Sequence, residues 1–344
     1  MAKIKRRRSP AAQFVYDLRY RIGEYSLRGF ITCLPHVPFT AVERFTYFAA
    51  WLSFKFMAQY RQRMEQNIAS TLGDEIASEA ERKQLTWRAW KNFARGVLDT
   101  TAIMHHSRKR IIEGIRLQGE EHLQRALAQG KGVLALSAHL GSFTLIGARL
   151  AASGYPFSVV VKHPADKRFA RLTDDYRTQI GIHTIPAKPR REAVRGLLKA
   201  LRENRIVLVI ADEFKSGDVM VKFFGMQLPA PRGPATLALR TGAVTLPMFA
   251  TRERDDTLLL SVGAPIAPVE CGDIEASVVA TTAVYTNHLE AAIRRYPDQW
   301  NWLGLPNRNG KQSRAELAQR RKEWKKRRAA KSAAGETTKT ATGA

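Results

Sequence analysis

Between residues 131 and 295, short aliphatic runs alternate with amphipathic stretches, and this alternation restricts the fold more than any other feature of the chain. Val133–Leu136, Phe157–Val161, His183–Ile185, Ile206–Ile210, Thr245–Ala250 and Leu258–Val262 have the length and composition of strands. Leu145–Ala152, Lys167–Ile180, Arg191–Asn204 and Pro234–Thr241 carry helical patterning between them, and Ile274–Arg295 follows as a longer helix. Strands separated by helices pair in parallel, because each crossover helix returns the chain to the starting end of the sheet. The expected class is α/β, a mixed and mostly parallel sheet flanked by helices, preceded by a membrane-associating helical segment.

That segment is read from two aromatic-rich runs. Ala12–His36 mixes Phe14, Tyr16, Tyr20, Tyr25 and Phe30 with Arg19, Arg21 and Arg28, and Pro35 and Pro38 interrupt it. Ala41–Met57 contains Phe45, Tyr47, Phe48, Trp51, Leu52, Phe54 and Phe56. Aromatic and basic residues on one helix suit an anchor lying in a membrane interface. A helix pair packed on the core is the alternative. No run of 18 apolar residues is present, so no spanning helix is expected. The basic start is not followed by an apolar region with a small-residue cleavage site, so no signal peptide is expected.

Further along, Ser78–Ile103 reads as a helix whose Leu85, Trp87, Trp90, Phe93, Val97 and Leu98 are expected in the core. Ile112–Leu117 reads as a short strand and Glu120–Gly130 as a helix with a glycine stop. Trp300-Asn301-Trp302 closes the folded part. The expected organisation is a helical segment over residues 1–60, an α/β domain over 61–308, and a basic tail over 309–344 whose composition predicts disorder. The net charge of +25 is spread over both tails and the body, which points to anionic partners. Nucleic-acid binding would rest on that charge alone, because no recognition module is present. Cys33 and Cys271 form no disulfide framework or metal-ligand cluster, so a reducing compartment and a site without metal or cofactor are expected.

Chemistry is expected where the strand Val133–Leu136 ends. Ser137-Ala138-His139-Leu140-Gly141-Ser142 is a polar turn around one histidine at the carboxyl end of a buried strand, where open α/β sheets place their sites. Imidazole exchanges protons near neutral pH. Asp212 and Glu213 stand just after the strand Ile206–Ile210, where a carboxylate can orient a base, bind an acceptor or simply close a turn. Arg232 and Gly233 precede a helix whose free N–H groups suit an anion. Lys162, Arg168, Arg171, Arg177 and Arg252 are further cationic candidates, each of which also reads as a solvated surface residue.

Several of these stretches resemble the lipid A biosynthesis acyltransferases of the glycerolipid acyltransferase superfamily. His139-Leu140-Gly141-Ser142-Phe143-Thr144 is similar to the family's His-x4-Glu/Asp motif, matching its histidine, glycine and aromatic but carrying Thr144 in place of the carboxylate. Ala211-Asp212-Glu213 is similar to a family turn, and Arg63-Met64-Glu65-Gln66-Asn67 to its Arg/Asn-containing helix. Lys222-Phe223-Phe224-Gly225 through Pro247, and Leu289 to Trp300, are the most specific likenesses, within a resemblance running from Tyr16 to Asn307. The resemblance implies acyl transfer from acyl carrier protein or coenzyme A to a hydroxyl of an anionic glycolipid such as a lipid A precursor. It implies His139 as general base, with Thr144 or a carboxylate from another strand, Asp212 or Glu213, as its partner. Lys162, Arg177, Glu213, Arg232, Gly233 and Arg252 would bind substrate. The setting it implies is the cytoplasmic face of a bacterial inner membrane. A member that binds lipid or carrier without transfer is the alternative.

Overall fold

The computed structural model describes residues 36–306 except 77, 104–105, 164–166 and 215–216, together with positions 21, 25, 29 and 32. The run Ala12–His36 therefore lies outside the described residues apart from its last residue and those four helical, exposed positions, and the tail from 307 lies outside entirely. Residues 1–304 form one compact unit and 305–344 a second, of which residues 305 and 306 are described.

Three helices open the described chain: α1 (Phe39–Phe56), α2 (Ala58–Leu72) and α3 (Glu79–Ala102). α3 starts at Ser78, whose hydroxyl accepts the Glu81 N–H, with Glu79 and Glu81 in its first turn where the helix dipole favours acids. A short helix α4 (Arg108–Gly114) leads into β1 (Ile115–Gln118). The strand expected over Ile112–Leu117 is thus half helix, because the Ser107 hydroxyl caps α4 by accepting from the Arg110 N–H. α5 (Glu120–Ala128) then precedes the α/β body.

The body runs β2 (Val133–Ser137), α6 (Leu145–Ala152), β3 (Phe157–Val161), α7 (Lys167–Gln179), β4 (His183–Pro186), α8 (Arg190–Arg202) and β5 (Ile206–Ile210). It continues through β6 (Val219–Phe223), β7 (Met226–Ala230), α9 (Gly233–Thr241), β8 (Val244–Arg252), β9 (Leu258–Val262) and α10 (Ile274–Arg295). The main sheet has the order β1-β9-β8-β2-β5-β3-β4. β8, β2, β5, β3 and β4 are mutually parallel, while β9 runs against β8 and pairs parallel with β1. This is the mixed, mostly parallel sheet expected.

β2 is central and every one of its residues is buried, which is why its sequence is aliphatic without alternation. α6 is buried along its whole length behind it. β2 pairs with β5 on one side and β8 on the other, so the winding changes direction at the carboxyl end of β2. Residues Val219–Ala230, outside the strands expected from the sequence, form the antiparallel β6–β7 hairpin. Phe224 and Gly225 turn it with positive φ (47° and 72°), the conformation of a tight hairpin turn.

Candidate active site

Parallel register brings His139 and Asp212 together. Ser137 of β2 pairs with Ile210 of β5, and the Ala211 N–H donates to the Ser137 carbonyl at 2.9 Å. His139 and Asp212 each lie two residues past the paired positions and therefore emerge side by side at one end of the sheet. His139 Nδ1 lies 2.8 Å from Asp212 Oδ1, and the His139 backbone N–H donates to Oδ2 at 2.8 Å. Trp300 Nε1–H also donates to Oδ2 at 2.8 Å. A carboxylate only accepts, so Nδ1 carries the hydrogen of this pair. Asp212 is 3% exposed, whereas the imidazole is 42% exposed and meets the Phe143 ring edge-on at 5.1 Å.

The turn carrying His139 is fixed by its backbone. The Gly141 N–H donates to Gln299 O at 2.9 Å, the Ser142 N–H to Ala250 O at 2.8 Å, and the Asn301 N–H to His139 O at 3.1 Å. Gly141 has φ +58°, and a Cβ there would stand 2.2 Å from Ala250 O, so any other residue would be excluded by both backbone conformation and space. The segment Gln299–Trp302 thus clamps the turn. It is held in turn by α2, where Asn67 Nδ2 donates to Trp302 O at 2.7 Å and Arg63 Nη2 to Leu303 O at 3.1 Å. Phe223 and Phe224 of the hairpin pack on Trp300, with ring centroids 5.8 and 6.2 Å away. The Arg/Asn-containing helix, the Phe-Phe-Gly hairpin and the tryptophan ending therefore act as one support behind the site.

α3 closes the site from the other side, through residues the sequence reading did not single out. Asp99 Oδ2 accepts from the Ser142 hydroxyl at 2.9 Å and from Arg252 Nη2 at 2.7 Å, and Oδ1 accepts from Arg95 Nε at 3.2 Å. Arg95 also reaches the Tyr47 hydroxyl at 2.8 Å and pairs with Glu43. The i,i+4 spacing of Arg95 and Asp99 in a helix otherwise rich in apolar residues is the signal that marks them. The expected core role of Phe93 and Val97 does not hold: they are exposed, because this turn of α3 directs Arg95 and Asp99 inward.

Thr144, exposed at the start of α6, has its hydroxyl 2.6 Å from that of Thr100. Thr100 donates its own hydrogen to Gly96 O at 2.7 Å, so Thr144 is the donor of this pair. Arg252 joins the site through Asp99. Arg177 is held by Asp174 at 2.6 Å and by the Thr184 hydroxyl at 3.0 Å, and Arg232 by Glu275 at 2.8 Å. Gly233 begins α9, and Lys162 and Glu213 are exposed just past β3 and β5. Arg171 is exposed on α7, and the Arg168 side chain lies outside the described atoms. Arg177 and Arg232 are thus engaged by Asp174 and Glu275, while Asp212 accepts from His139 and Trp300.

A buried carboxylate behind a half-exposed imidazole, on a turn at the end of a central parallel strand, is an arrangement for taking a proton from a substrate. Comparison with known proteins identifies the group to which the arrangement belongs. The model of the bacterial lipid A biosynthesis acyltransferases matches residues 15–305. The phosphatidylinositol mannoside acyltransferase of Mycolicibacterium smegmatis is 29% identical over 53% of this chain and 59% of its own length, under two thirds of that protein. The Mycobacterium tuberculosis protein of the same name is 25% identical over 78% of this chain and 91% of its own. The lipid A biosynthesis lauroyltransferase of Escherichia coli is 23% identical over 80% of this chain and 88% of its own. The chain belongs to the bacterial lipid A biosynthesis acyltransferase family and is an acyltransferase.

Proposed function

We propose that this enzyme moves a fatty acyl chain from a thioester donor, acyl carrier protein or coenzyme A, to a hydroxyl of an anionic glycolipid. A lipid A precursor and a phosphatidylinositol mannoside are the two acceptor classes suggested by the names of its relatives. The observation that carries the reading is the 2.8 Å contact of His139 with a buried Asp212 that also accepts from Trp300. His139 Nε2 takes the proton of the acceptor hydroxyl as its oxygen attacks the thioester carbonyl. The tetrahedral intermediate collapses, the C–S bond breaks, and the imidazolium returns the proton to the departing sulfur. Asp212 holds the ring in one tautomer and stabilises the imidazolium, the part taken by the third member of a catalytic triad. In this chain the carboxylate that serves His139 comes from the end of β5, while position 144 carries a neutral hydroxyl paired with Thr100. Arg252 supports the turn through Asp99, and Lys162, exposed past β3, is a cation for a donor or acceptor phosphate. The enzyme works at the cytoplasmic face of a bacterial inner membrane.

The second reading, a member that binds lipid or carrier without transfer, is favoured by the neutral Thr144. Acyl transfer by purified protein in detergent separates the two. The assay supplies acyl carrier protein and coenzyme A thioesters of several lengths with a mixed bacterial lipid extract. Wild-type transfer lost in His139→Ala supports the enzyme. A His139→Ala protein with full activity removes His139 as base, and a silent wild type leaves the binding reading.

A further inference from the structure

α1 is joined to α3 by two different kinds of contact. One is apolar or neutral. The Phe54 ring meets those of Trp87 and Trp90 edge-on at 5.1 and 5.7 Å, and Trp90 Nε1 donates to the Ser53 hydroxyl at 3.1 Å. The other is ionic and lies about two turns earlier in α1. Glu43 pairs with Arg95, and the Tyr47 hydroxyl accepts from Arg95 Nη1 at 2.8 Å while donating to Glu43 Oε1 at 3.3 Å. The Phe39 ring lies 5.4 Å from the same guanidinium. A partly buried ion pair contributes little net stability compared with apolar packing of the same volume. What Glu43 adds to the seating of α1 is therefore the orientation of Arg95.

A guanidinium is planar, so fixing Nη1 also fixes where Nε points. Arg95 Nε donates to Asp99 Oδ1 at 3.2 Å, and both side chains are buried. Asp99 Oδ2 then reaches the His139 turn by two routes. The Ser142 hydroxyl donates to it directly at 2.9 Å. Arg252 Nη2 donates to it at 2.7 Å, and the Arg252 backbone forms a reciprocal pair with the Gln299 amide. Its N–H donates to Gln299 Oε1 at 2.9 Å, and its carbonyl accepts from Nε2 at 2.7 Å. Gln299 O in turn accepts the Gly141 N–H at 2.9 Å. Two consecutive residues of the turn, Gly141 and Ser142, thus trace back to one carboxylate. A further partner of Arg95, Asp256 at 3.5 Å, also meets Arg252. Its side chain is 65% exposed, so water screens it and it is a poor substitute for Glu43.

We infer that Glu43 is a remote positioning residue of the acyl transfer: by holding Arg95 it aims Asp99, and Asp99 sets the turn that carries His139. The effect on rate rests on the acyl-transfer reading; the setting of the turn does not.

The full chain in detergent is assayed for acyl transfer, beside the proton–nitrogen correlation spectrum of the His139 imidazole, assigned by its loss in His139→Ala. Glu43→Gln is expected to lower kcat on the order of tenfold, short of the roughly 10²-fold cost of a misplacement of about 1 Å. KM and thermal melting are expected to stay unchanged. Tyr47→Phe, which leaves the carboxylate in place, is expected to lower kcat less. Ser53→Ala, which loosens α1 without touching Arg95, is expected to match wild type. In an Asp99→Asn background, Glu43→Gln is expected to change kcat by less than about twofold, because residues acting as one unit are not additive. The His139 signals are expected to move in Glu43→Gln and to stay in place in Ser53→Ala.

A Glu43→Gln enzyme with wild-type kcat overturns the positioning role. Losses that multiply in the Asp99→Asn background overturn it too, as does an equal loss in Ser53→Ala, which gives the effect to the general seating of α1. A wild type without transfer whose His139 signals still move in Glu43→Gln overturns the acyl-transfer reading alone. Unmoved His139 signals overturn the setting of the turn by Glu43.

Discussion

The sheet and helix α3 obey opposite rules. In β2 and β5 the buried positions are aliphatic, and polar chemistry begins only where the strands end, at His139 and Asp212. In the carboxyl-terminal half of α3 the buried positions include Arg95 and Asp99, while Phe93 and Val97 face outward. A buried ion is tolerated only when its charge and hydrogen-bonding groups are met. Here Arg95 meets Asp99, Glu43 and Tyr47, and Asp99 meets Ser142 and Arg252. The comparison teaches that the two sides of the His139 turn are held by different forces. Apolar packing and sheet register fix the strand side, and a charge network fixes the helix side.

Single substitutions can break this comparison. Asp99→Ala leaves Arg95 and Arg252 short of their shared acceptor, and its expected cost is about 3–5 kcal/mol, as for one partner removed from a buried pair. Leu134→Ala opens a cavity in the central strand and is expected to cost about 2–5 kcal/mol. Both are read from denaturant unfolding, and an Asp99→Ala protein within about 0.5 kcal/mol of wild type would show that the network is not what holds α3. Ser142→Ala removes one hydrogen bond to the Asp99 carboxylate and is expected to cost about 1.5–3 kcal/mol, with a fall in kcat because the His139 turn loosens. At the small end, Lys83→Ala breaks an exposed i,i+4 pair with Glu79 and should leave the unfolding midpoint essentially unchanged. A larger loss there would mean that surface charge, as well as the buried network, stabilises α3.

The same contrast explains what the sequence discloses. The apolar runs of β2 and β5 have no competing interpretation, so the parallel sheet and the His139 turn can be read directly. The neighbourhood of Asp212 and His139 follows once β2 and β5 are placed side by side, because both residues stand two positions beyond their strands. α3 is harder, since apolar residues lie on more than one side of it and periodicity alone does not say which faces inward. Leu85 and Leu98 are buried whereas Phe93 and Val97 are exposed, and only the tertiary partners of Arg95 and Asp99 decide between them. The β6–β7 hairpin was hidden by Gly225 and Pro229, which punctuate a sequence otherwise short of alternation. The engagement of Arg232 by Glu275 spans 43 positions, beyond the reach of any local pattern.

The central claim is that β5, through Asp212, supplies the carboxylate that position 144 lacks. The most direct measurement is kcat for acyl transfer by Asp212→Asn beside wild type and Thr144→Glu, with folding checked by thermal melting. The account predicts that Asp212→Asn retains its fold and loses about 10²–10⁴-fold in kcat, as expected when a base loses its orienting acid, while wild type is active without help from Thr144→Glu. An Asp212→Asn enzyme as fast as wild type, or activity that appears only in Thr144→Glu, would contradict it.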